Sequence, residues 1–408
     1  MQTCGSTTGR RSPEPGPEYS RQRHRPPDST DSPPWRCGPG GGPDIGGSLQ
    51  RGLTGNLRGA NHIGLKHSTD ILRRIELGWH QPRIVNRLLL PLSWLYCALA
   101  VLVRLSWRIG LRRPERVGVP VLVVGNLTVG GTGKTPLVIA LAAHFRSSGC
   151  RPGIVSRGYG GRTSAVPHGV TGSDTSSAVG DEALLLQRHS GVPVAVCADR
   201  VAAARHLVDN DGCNLIISDD GLQHHRLHRD LDIVVVDTMR GFGNGWCLPA
   251  GPLREPKSVL RHADIKVFNG AGAVGKDREF GMIMEGAEAH SLRDRVRKLP
   301  LAGLAGDPVH AVAGIGNPER FFRHLEGAGL AVVRHAFPDH HNYTESDFGF
   351  AGDDSVILMT EKDAVKCDHL DIAGDVFCVP VSARISPGFF AAVQRHLDIR
   401  SAPRNPEP

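Results

Sequence analysis

An apolar run followed by a glycine-rich loop is the feature that most constrains the fold of this chain. Residues 119–124 read VPVLVV, residues 125–135 read GNLTVGGTGKT, and PLVIALAAHF follows with helical spacing. A buried strand, a loop that ends in Gly-Lys-Thr and then a helix is the arrangement that binds nucleotide phosphates in P-loop proteins. The usual motif begins with glycine at the position of Thr128, but the later glycines still permit the tight turn. The segment therefore predicts a nucleotide site.

Each residue type in this loop has a predicted task. Glycines let backbone N–H groups approach phosphate oxygens, Lys134 reaches the β- and γ-phosphates, and the hydroxyl of Thr135 is available to Mg²⁺. ATP and Mg²⁺ are therefore the predicted cofactors. The predicted nucleotide-binding residues are Thr128, Val129, Gly130, Gly131, Thr132, Gly133, Lys134 and Thr135.

A second segment, NLIISDDG at residues 214–221, has the form of a Walker-B element, an apolar strand that ends in two carboxylates. Carboxylates at the carboxyl end of a neighbouring parallel strand face the same crevice as the loop. We expect Asp219 and Asp220 to hold the metal's water shell and organise the site. Such a pair alone is also typical of a turn or a helix cap. Together with the loop, it indicates a P-loop phosphotransferase or NTPase.

Apolar strands alternate with helical segments from residue 119 onwards, which indicates a parallel sheet covered on both faces. The predicted fold is α/β: a P-loop NTPase-like parallel sheet, a second, smaller α/β domain that begins after Gly270, and an N-terminal membrane-anchor helix. The strands predicted in the first sheet are Val119–Val124, Gly153–Val155, Val192–Val196, Asn214–Ile217, Asp232–Val236 and Asp264–Phe268. The predicted helices between them are Thr135–Arg146, Gly180–Arg188 and Val201–Val208.

The predicted domain organisation has five parts: an extension at residues 1–75, a membrane-associated helix at 76–117, a P-loop domain at 118–270, a C-terminal α/β domain at 271–398 and a tail at 399–408. Residues 1–60 are rich in Gly, Pro, Ser and Arg, a composition that predicts disorder because it buries little apolar surface. Because no methionine lies between Met1 and Met239, we also hypothesise that translation starts near residues 70–80.

The cysteines form no C-x-x-C pair, which indicates reduced thiols rather than a disulfide framework.

One apolar segment, LLLPLSWLYCALAVLV at residues 88–103, is a membrane candidate. As a helix it is about 24 Å long, whereas a hydrocarbon core needs about 30 Å. Arg104, Arg108 and Arg112 follow at every fourth position, and residues 66–116 carry ten Lys/Arg against three acids. We expect an anchor helix, around residues 88–110, that lies in or dips into the cytoplasmic leaflet. The alternatives are a buried core helix and a basic patch for nucleic acid.

A kinase that acts on a hydroxyl needs a general base beside that hydroxyl. The candidates are Asp181 and Glu182 in AVGDEALLL, and Asp339, His340 and His341 in FPDHHNY. An acidic pair that opens a helix is also typical of a favourable charge on the helix dipole, and PDHH is also typical of a polar turn. Spacing alone does not bring residues this far apart together.

Eight segments of the chain, taken in order, resemble those of the tetraacyldisaccharide 4′-kinases, the lipid A 4′-kinases. They are GNLTVGGTGKTP, SRGYGGR, VGDEALLL, SDDGLQH, RGFGNG with LPAGPLREP, AGIGNPERFF, FPDHHNY and MTEKDAVK, and they span roughly residues 80–395. The resemblance implies transfer of the γ-phosphate of ATP to the 4′-hydroxyl of a tetraacyl glucosamine disaccharide 1-phosphate, at the cytoplasmic face of the inner membrane. The loop of that family also lacks the first glycine.

The resemblance also implies roles for individual residues. Asp181 matches the family's catalytic base, and His340 matches the partner that orients it, in preference to His341. Asp219 and Asp220 match the Walker-B acids, and Asp220 is counted among the catalytic residues. The remaining matches are Arg254 and Glu255 near the phosphates and metal, with Glu255 as a metal ligand alongside Thr135, and Arg157, Glu182 and His224 as further site residues.

The implied partners are the lipid substrate and the phospholipid surface of the inner membrane, without nucleic acid or a protein partner. The implied architecture has ATP at the junction of two α/β domains, of which the second swings closed. A membrane-targeted P-loop ATPase of the partition type is the alternative, but it requires a lysine at the position of Val129 and lacks the DHH segment. A nucleic-acid-binding ATPase is disfavoured by the sixteen uncharged residues inside the basic region.

Overall fold

The computed structural model describes residues 75–76, 78–80, 83–162, 165–272, 278–294, 296–306 and 308–401. These residues belong to one compact unit. The disorder predicted for residues 1–60 and the hypothesis on the translation start lie outside the described residues.

In chain order, the helices are α1 (Ile84–Leu88), α2 (Leu90–Arg108), α3 (Lys134–Ser147), α4 (Ser176–Val179), α5 (Asp181–Ser190), α6 (Arg200–Asp211), α7 (Pro318–Gly327), α8 (Glu361–Cys367) and α9 (Phe389–Ser401). The strands are β1 (Val121–Gly125), β2 (Pro152–Ser156), β3 (His168–Gly169), β4 (Val194–Val196), β5 (Leu215–Asp219), β6 (Leu231–Asp237), β7 (Ile265–Asn269), β8 (Glu279–Glu285), β9 (Glu288–Ser291), β10 (Lys298–Pro300), β11 (Pro308–Ala313), β12 (Ala331–Ala336), β13 (Val356–Thr360), β14 (Asp375–Val379) and β15 (Ser382–Ile385). Short 3₁₀ helices lie at Lys257–His262, Leu301–Leu304 and Glu345–Phe348.

A sheet in the order β15-β8-β7-β6-β1-β5-β2-β4-β3 forms the first lobe. Its central strand β1 is buried at every position and pairs in parallel with β5 and β6. Alternate β1 residues face two separate cores, one built with α3, α5 and α9 and the other with α6. Among the described strands of this sheet, only β3 and β15, at its two edges, pair in antiparallel fashion. The predicted parallel sheet, covered on both faces, is therefore confirmed.

The second lobe contains the smaller sheet, in the order β10-β9-β14-β13-β11-β12. Strands β11 to β14 pair in parallel, and β9 and β10 extend the sheet in antiparallel fashion. Helix α7 buries Phe321, Phe322 and Leu325 against this sheet. The predicted second α/β unit is confirmed.

The border between the two lobes does not coincide with residue 270. Strand β8 continues the first sheet in parallel with β7, and β15 returns from the second lobe to pair with β8. Helix α9 then packs Phe389 and Val393 into the core of the first lobe. The chain therefore enters the second lobe after β8 and leaves it after β14. Local periodicity does not reveal this return, because β8 and β15 are far apart in sequence.

Helix α2 lies on the surface of the first lobe with most of its apolar side chains exposed. Ser93 is its one buried residue, so the alternative of a buried core helix is wrong. By length and composition α2 is the one helix among the described residues that is long and apolar enough to cross a membrane. Its inner side carries polar groups: Ser93 Oγ donates to the carbonyl of Cys247 at 2.7 Å, and the Tyr96 hydroxyl donates to the carbonyl of Arg254 at 3.1 Å.

Candidate active site

The glycine-rich loop connects β1 to α3 and folds around the side chain of Asn126. Its amide nitrogen donates to the carbonyls of Thr128 at 2.8 Å and Gly130 at 3.4 Å, and its amide oxygen accepts from Lys134 Nζ at 3.0 Å. Gly130 and Gly133 have φ values of 101° and 88°, in the left-handed region that glycine adopts without strain. Asn126 stands at the start of the quoted loop, but no motif predicts this role for it.

The backbone conformation at Thr128 explains why the loop tolerates a residue other than glycine at this position. The backbone of Thr128 forms an antiparallel bridge with Leu253, and the next amide, of Val129, donates to the carbonyl of Pro252 at 2.8 Å. The positive-φ residues of the described chain that are not glycine are Asp220 and His340, so Thr128 is not in the left-handed region. A β-branched residue is well suited to such an extended position.

Strand β5 delivers Asp219 and Asp220 to the edge of the sheet beside the loop. Asp220 Oδ2 accepts from Arg254 Nη1 at 2.7 Å, and its Oδ1 lies 3.6 Å from Lys134 Nζ. Asp219 is almost fully buried, and its Oδ1 has no hydrogen-bond partner within the described chain. The structure thus brings Lys134 and Arg254 to Asp220, and Asp219 precedes it at the end of β5.

The two acids have opposite electrostatic environments. Burial raises the pKa of Asp219, the charges of Glu182 and Asp220 raise it further, and Lys134 offsets only part of the increase. Burial would also raise the pKa of Asp220, but Lys134 and Arg254 outweigh it and lower that pKa to about 2. Asp220 is therefore ionised at neutral pH.

Asp181 and His340 meet across the two lobes. Asp181 is the first residue of α5 and is 4% exposed. Its Oδ2 lies 3.0 Å from His340 Nδ1, and its Oδ1 accepts from the amide of Glu182 at 2.9 Å. His341, in contrast, contacts Asp347 at 3.2 Å inside the second lobe. Of the two histidines, the structure therefore brings His340 to Asp181.

This contact sets the charges of both partners. Burial would raise the pKa of Asp181, but the hydrogen bond with His340 and the charge of Lys362 outweigh it, so the pKa of Asp181 is lowered. The hydrogen bond with Asp181 raises the pKa of His340 in spite of burial and of Lys362. Lys362 belongs to the quoted segment MTEKDAVK, for which the sequence alone predicts no role.

Other predicted site residues lie in different surroundings. The Glu255 carboxylate contacts Arg104 Nη1 of α2 at 3.0 Å and accepts from Gln223 at 3.3 Å. His224 is half-buried, and burial, followed by the charge of Arg200, lowers its pKa to about 4. Arg157 is exposed.

The arginines after the apolar segment have different surroundings, although they recur at every fourth position of the sequence. Arg104 turns inward to Glu255, whereas Arg108 lies 3.5 Å from His262 and Arg112 stacks on Trp107. A buried carboxylate attracts the nearest arginine because a charge left alone in the interior is costly. Helical spacing alone does not show where such a carboxylate lies.

A second contact between the lobes lies on the loop itself. Gly316, which follows β11, is so close that a Cβ on it would lie 2.3 Å from the amide nitrogen of Gly131. The Arg240 guanidinium donates to the Gly316 carbonyl, and Arg320 of α7 forms an ion pair with Asp237. Both regions were quoted in the resemblance, as AGIGNPERFF and RGFGNG, but the sequence assigned them no function.

Comparisons with known proteins identify the family of this chain. The sequence profile of the tetraacyldisaccharide-1-P 4′-kinase family matches residues 85–398. The tetraacyldisaccharide 4′-kinase of Methylobacillus flagellatus is 51% identical over 296 residues, covering 72% of this chain and 87% of that protein. The tetraacyldisaccharide 4′-kinase of Nitrosococcus oceani is 47% identical over 317 residues, covering 77% of this chain and 91% of that protein.

A solved structure supports the same assignment. The crystal structure of LpxK from Aquifex aeolicus in complex with ATP superposes with a TM-score of 0.65 at 29% identity, covering 77% of this chain and 100% of that one. The predicted resemblance is therefore confirmed, and the chain belongs to the tetraacyldisaccharide 4′-kinase family.

Proposed function

We propose that this protein transfers the γ-phosphate of ATP to the 4′-hydroxyl of a tetraacyl glucosamine disaccharide 1-phosphate, a step of lipid A biosynthesis. The observation that carries the proposal is the contact of Asp181 with His340 in a protein whose glycine-rich loop also places Lys134 beside Asp220. A nucleotide loop alone fits any P-loop ATPase. A carboxylate paired with an imidazole adds the base that transfer to an alcohol needs. The names of the relatives and the ATP bound to the Aquifex protein support this substrate pair.

In the proposed reaction, the loop amides and Lys134 hold the phosphates of ATP. Asp181 accepts the proton of the 4′-hydroxyl as its oxygen forms a bond to the γ-phosphorus. The bond from that phosphorus to the β–γ bridging oxygen breaks, and ADP leaves with the electron pair. His340 keeps the Asp181 carboxylate oriented through the 3.0 Å contact. Most of the catalysis in such transfers comes from positioning and charge stabilisation.

The acids beside the loop suit Mg²⁺, which prefers carboxylate, hydroxyl and water oxygens. Asp219 offers a buried oxygen that accepts no hydrogen bond from the described residues, Asp220 lies beside Lys134 of the loop, and Thr135 follows that lysine. When bound, Mg²⁺ neutralises charge on the phosphate oxygens. The predicted metal role of Glu255 stays a prediction, since Arg104 and Gln223 already bind its carboxylate.

Arg254 supports this site through its contact with Asp220, and we assign it to the phosphate region. Glu182 is assigned to the same region because its charge acts on Asp219. The roles of Arg157 and His224 stay predictions.

We place the protein at the cytoplasmic face of the inner membrane, held peripherally through α2. Its exposed face carries Leu92, Trp94, Leu95, Leu99, Val101 and Leu102. Burying such a face in a bilayer is favourable in proportion to its apolar area. A substrate with four acyl chains also stays in the bilayer, so the enzyme has to reach it there.

The test is an incubation of the protein with γ-labelled ATP and vesicles that contain the tetraacyl disaccharide 1-phosphate. We expect a labelled lipid, and no label on the same lipid already phosphorylated at the 4′ position. ATP hydrolysis without labelled lipid would contradict the proposal and favour the regulatory ATPase alternative, which the family assignment already disfavours.

A further inference from the structure

Lys362 lies at the centre of the contact between the lobes. It occupies the first turn of α8, which Thr360 caps by accepting from the amide of Asp363. Its Nζ lies 3.1 Å from Glu182 Oε1, 3.3 Å from Asp339 Oδ1 and 3.3 Å from His340 Nε2. Its side chain is 15% exposed. The ammonium group therefore links α5 of the first lobe to two consecutive residues of the second.

In the neutral imidazole of His340, this placement decides which of the two nitrogens carries the proton. An ammonium group has only donors, so a hydrogen bond from Lys362 requires His340 Nε2 to be the acceptor. A neutral imidazole with an unprotonated Nε2 carries its proton on Nδ1. His340 Nδ1 lies 3.0 Å from Asp181 Oδ2 and then donates to it. Asp181 thus receives a hydrogen bond as a carboxylate and keeps its free electron pairs for a proton from the substrate.

We propose that Lys362 is a positioning residue of the phosphoryl transfer: it fixes the Nδ1-protonated tautomer of neutral His340, which then donates a hydrogen bond to the ionised Asp181 and keeps it oriented. The inference rests on the proposed function, and it adds a residue that contacts neither ATP nor the acceptor hydroxyl in the proposed reaction. The proton balance is unchanged: the 4′-hydroxyl proton passes to Asp181, and Lys362 keeps its own three.

The charges around the pair show why a cation is needed here. Asp181, Glu182 and Asp339 are three carboxylates close to one imidazole, and Lys362 contacts or approaches all three, with Asp181 Oδ2 at 4.0 Å. The next lysine on α8, Lys366, forms its own ion pair with Asp363 at 2.9 Å.

On the remaining side, the ring of Tyr159 packs 4.9 Å from the imidazole of His340 and brings no charge. Burial would lower the pKa of Lys362, but the charges of Glu182, Asp339 and Asp181 raise it well above its usual value. The ammonium group is therefore charged throughout the working pH range.

The sign of the expected pH effect follows from these charges. The active form has Asp181 ionised and His340 neutral, so the acid limb of the kcat profile reports protonation of the pair. The positive charge of Lys362 opposes that protonation. Without Lys362, three carboxylates attract the proton unopposed, and the pair is protonated at higher pH. The acid limb should therefore move upward by about one pH unit.

The experiment compares the pH profile of kcat for lipid phosphorylation in wild type and Lys362→Met. We expect kcat of the variant to fall about tenfold or more at neutral pH, its acid limb to move upward, and the KM for ATP to change little. Lys362→Arg retains a donor-only cation and should keep the limb near its wild-type position. Lys266→Met is the matched control, because Lys266 is also partly buried and paired, with Glu279 at 2.9 Å, but lies in β7 outside the site.

Nitrogen-15 NMR of the His340 ring in wild type tests the same idea without turnover. We expect a protonated Nδ1 and an unprotonated Nε2, and a protonated Nε2 would overturn the proposal. A folded Lys362→Met variant with an unmoved acid limb would overturn it as well. If Lys362→Met does not fold, the NMR result decides. If wild type fails to label the lipid, the proposed function is wrong. The NMR result then still tests whether Lys362 fixes the tautomer of His340.

Discussion

A double-mutant cycle on Asp181 and His340 tests whether the two residues act as one unit. A general base contributes about 10²–10⁴-fold to such reactions, or about 3–5 kcal/mol in the activation barrier. Asp181 is the base in the proposed reaction, and His340 acts through it across a 3.0 Å contact. Each alanine substitution alone should therefore lower kcat by about 10²-fold or more. The double variant should lie no more than a few-fold below Asp181→Ala, because removing the orienting group costs nothing further once the base is absent.

The assay is the initial rate of lipid labelling at saturating ATP, with ATP affinity measured separately. That affinity should be largely retained, since neither residue contacts the loop lysine or its partners, Asn126 and Asp220. His341→Ala is the matched control: it removes a neighbouring histidine that contacts Asp347 instead, and it should retain most of the turnover. If the two losses in kcat multiply, kcat of the double variant falls by about 10⁴-fold or more. That result would show that Asp181 and His340 act independently and would refute the reasoning.

Further changes test the lobe contact, the membrane face and the buried acid. Gly316→Ala places a Cβ 2.3 Å from the Gly131 amide nitrogen, so it should hold the lobes apart and lower kcat about tenfold or more; unchanged turnover would contradict this. Leu99→Asp with Leu102→Asp, at side chains 54% and 60% exposed, should release the protein from phospholipid vesicles in a flotation assay with little change in Tm; continued flotation would place the anchor elsewhere. The pKa of Asp219 is raised in the fold. Above the unfolded value of about 3.9, the unfolded chain therefore releases this proton more readily than the folded protein does, and the free energy of unfolding falls as the pH rises. Asp219→Asn in EDTA should thus stabilise the fold by about 1 kcal/mol or more at pH 8 and by less near pH 4; an equal or lower Tm at pH 8 would refute the charge argument.

Much of the fold was predictable because its signals are local. Each strand predicted for the first sheet is present, with ends shifted by at most a few residues, since continuous apolar runs mark strands buried on both faces. The return of β15 to the first sheet was not predictable, because antiparallel pairing with β8 depends on contacts across the whole second lobe. The same limit applies to Arg104, whose partner Glu255 lies far along the chain.

The sequence by itself determined the nucleotide loop, its Walker-B acids and the family, since those rest on short segments whose chemistry depends on neighbouring residues. It offered Asp181 and His340 among several candidate bases and paired the two only through a resemblance, because no local pattern relates residues on different lobes. The tertiary structure decided which histidine meets Asp181, where Arg104 points, and that Lys362 lies against the imidazole. Those outcomes depend on how two sheets pack together, and the protonation of the His340–Asp181 pair depends on them in turn.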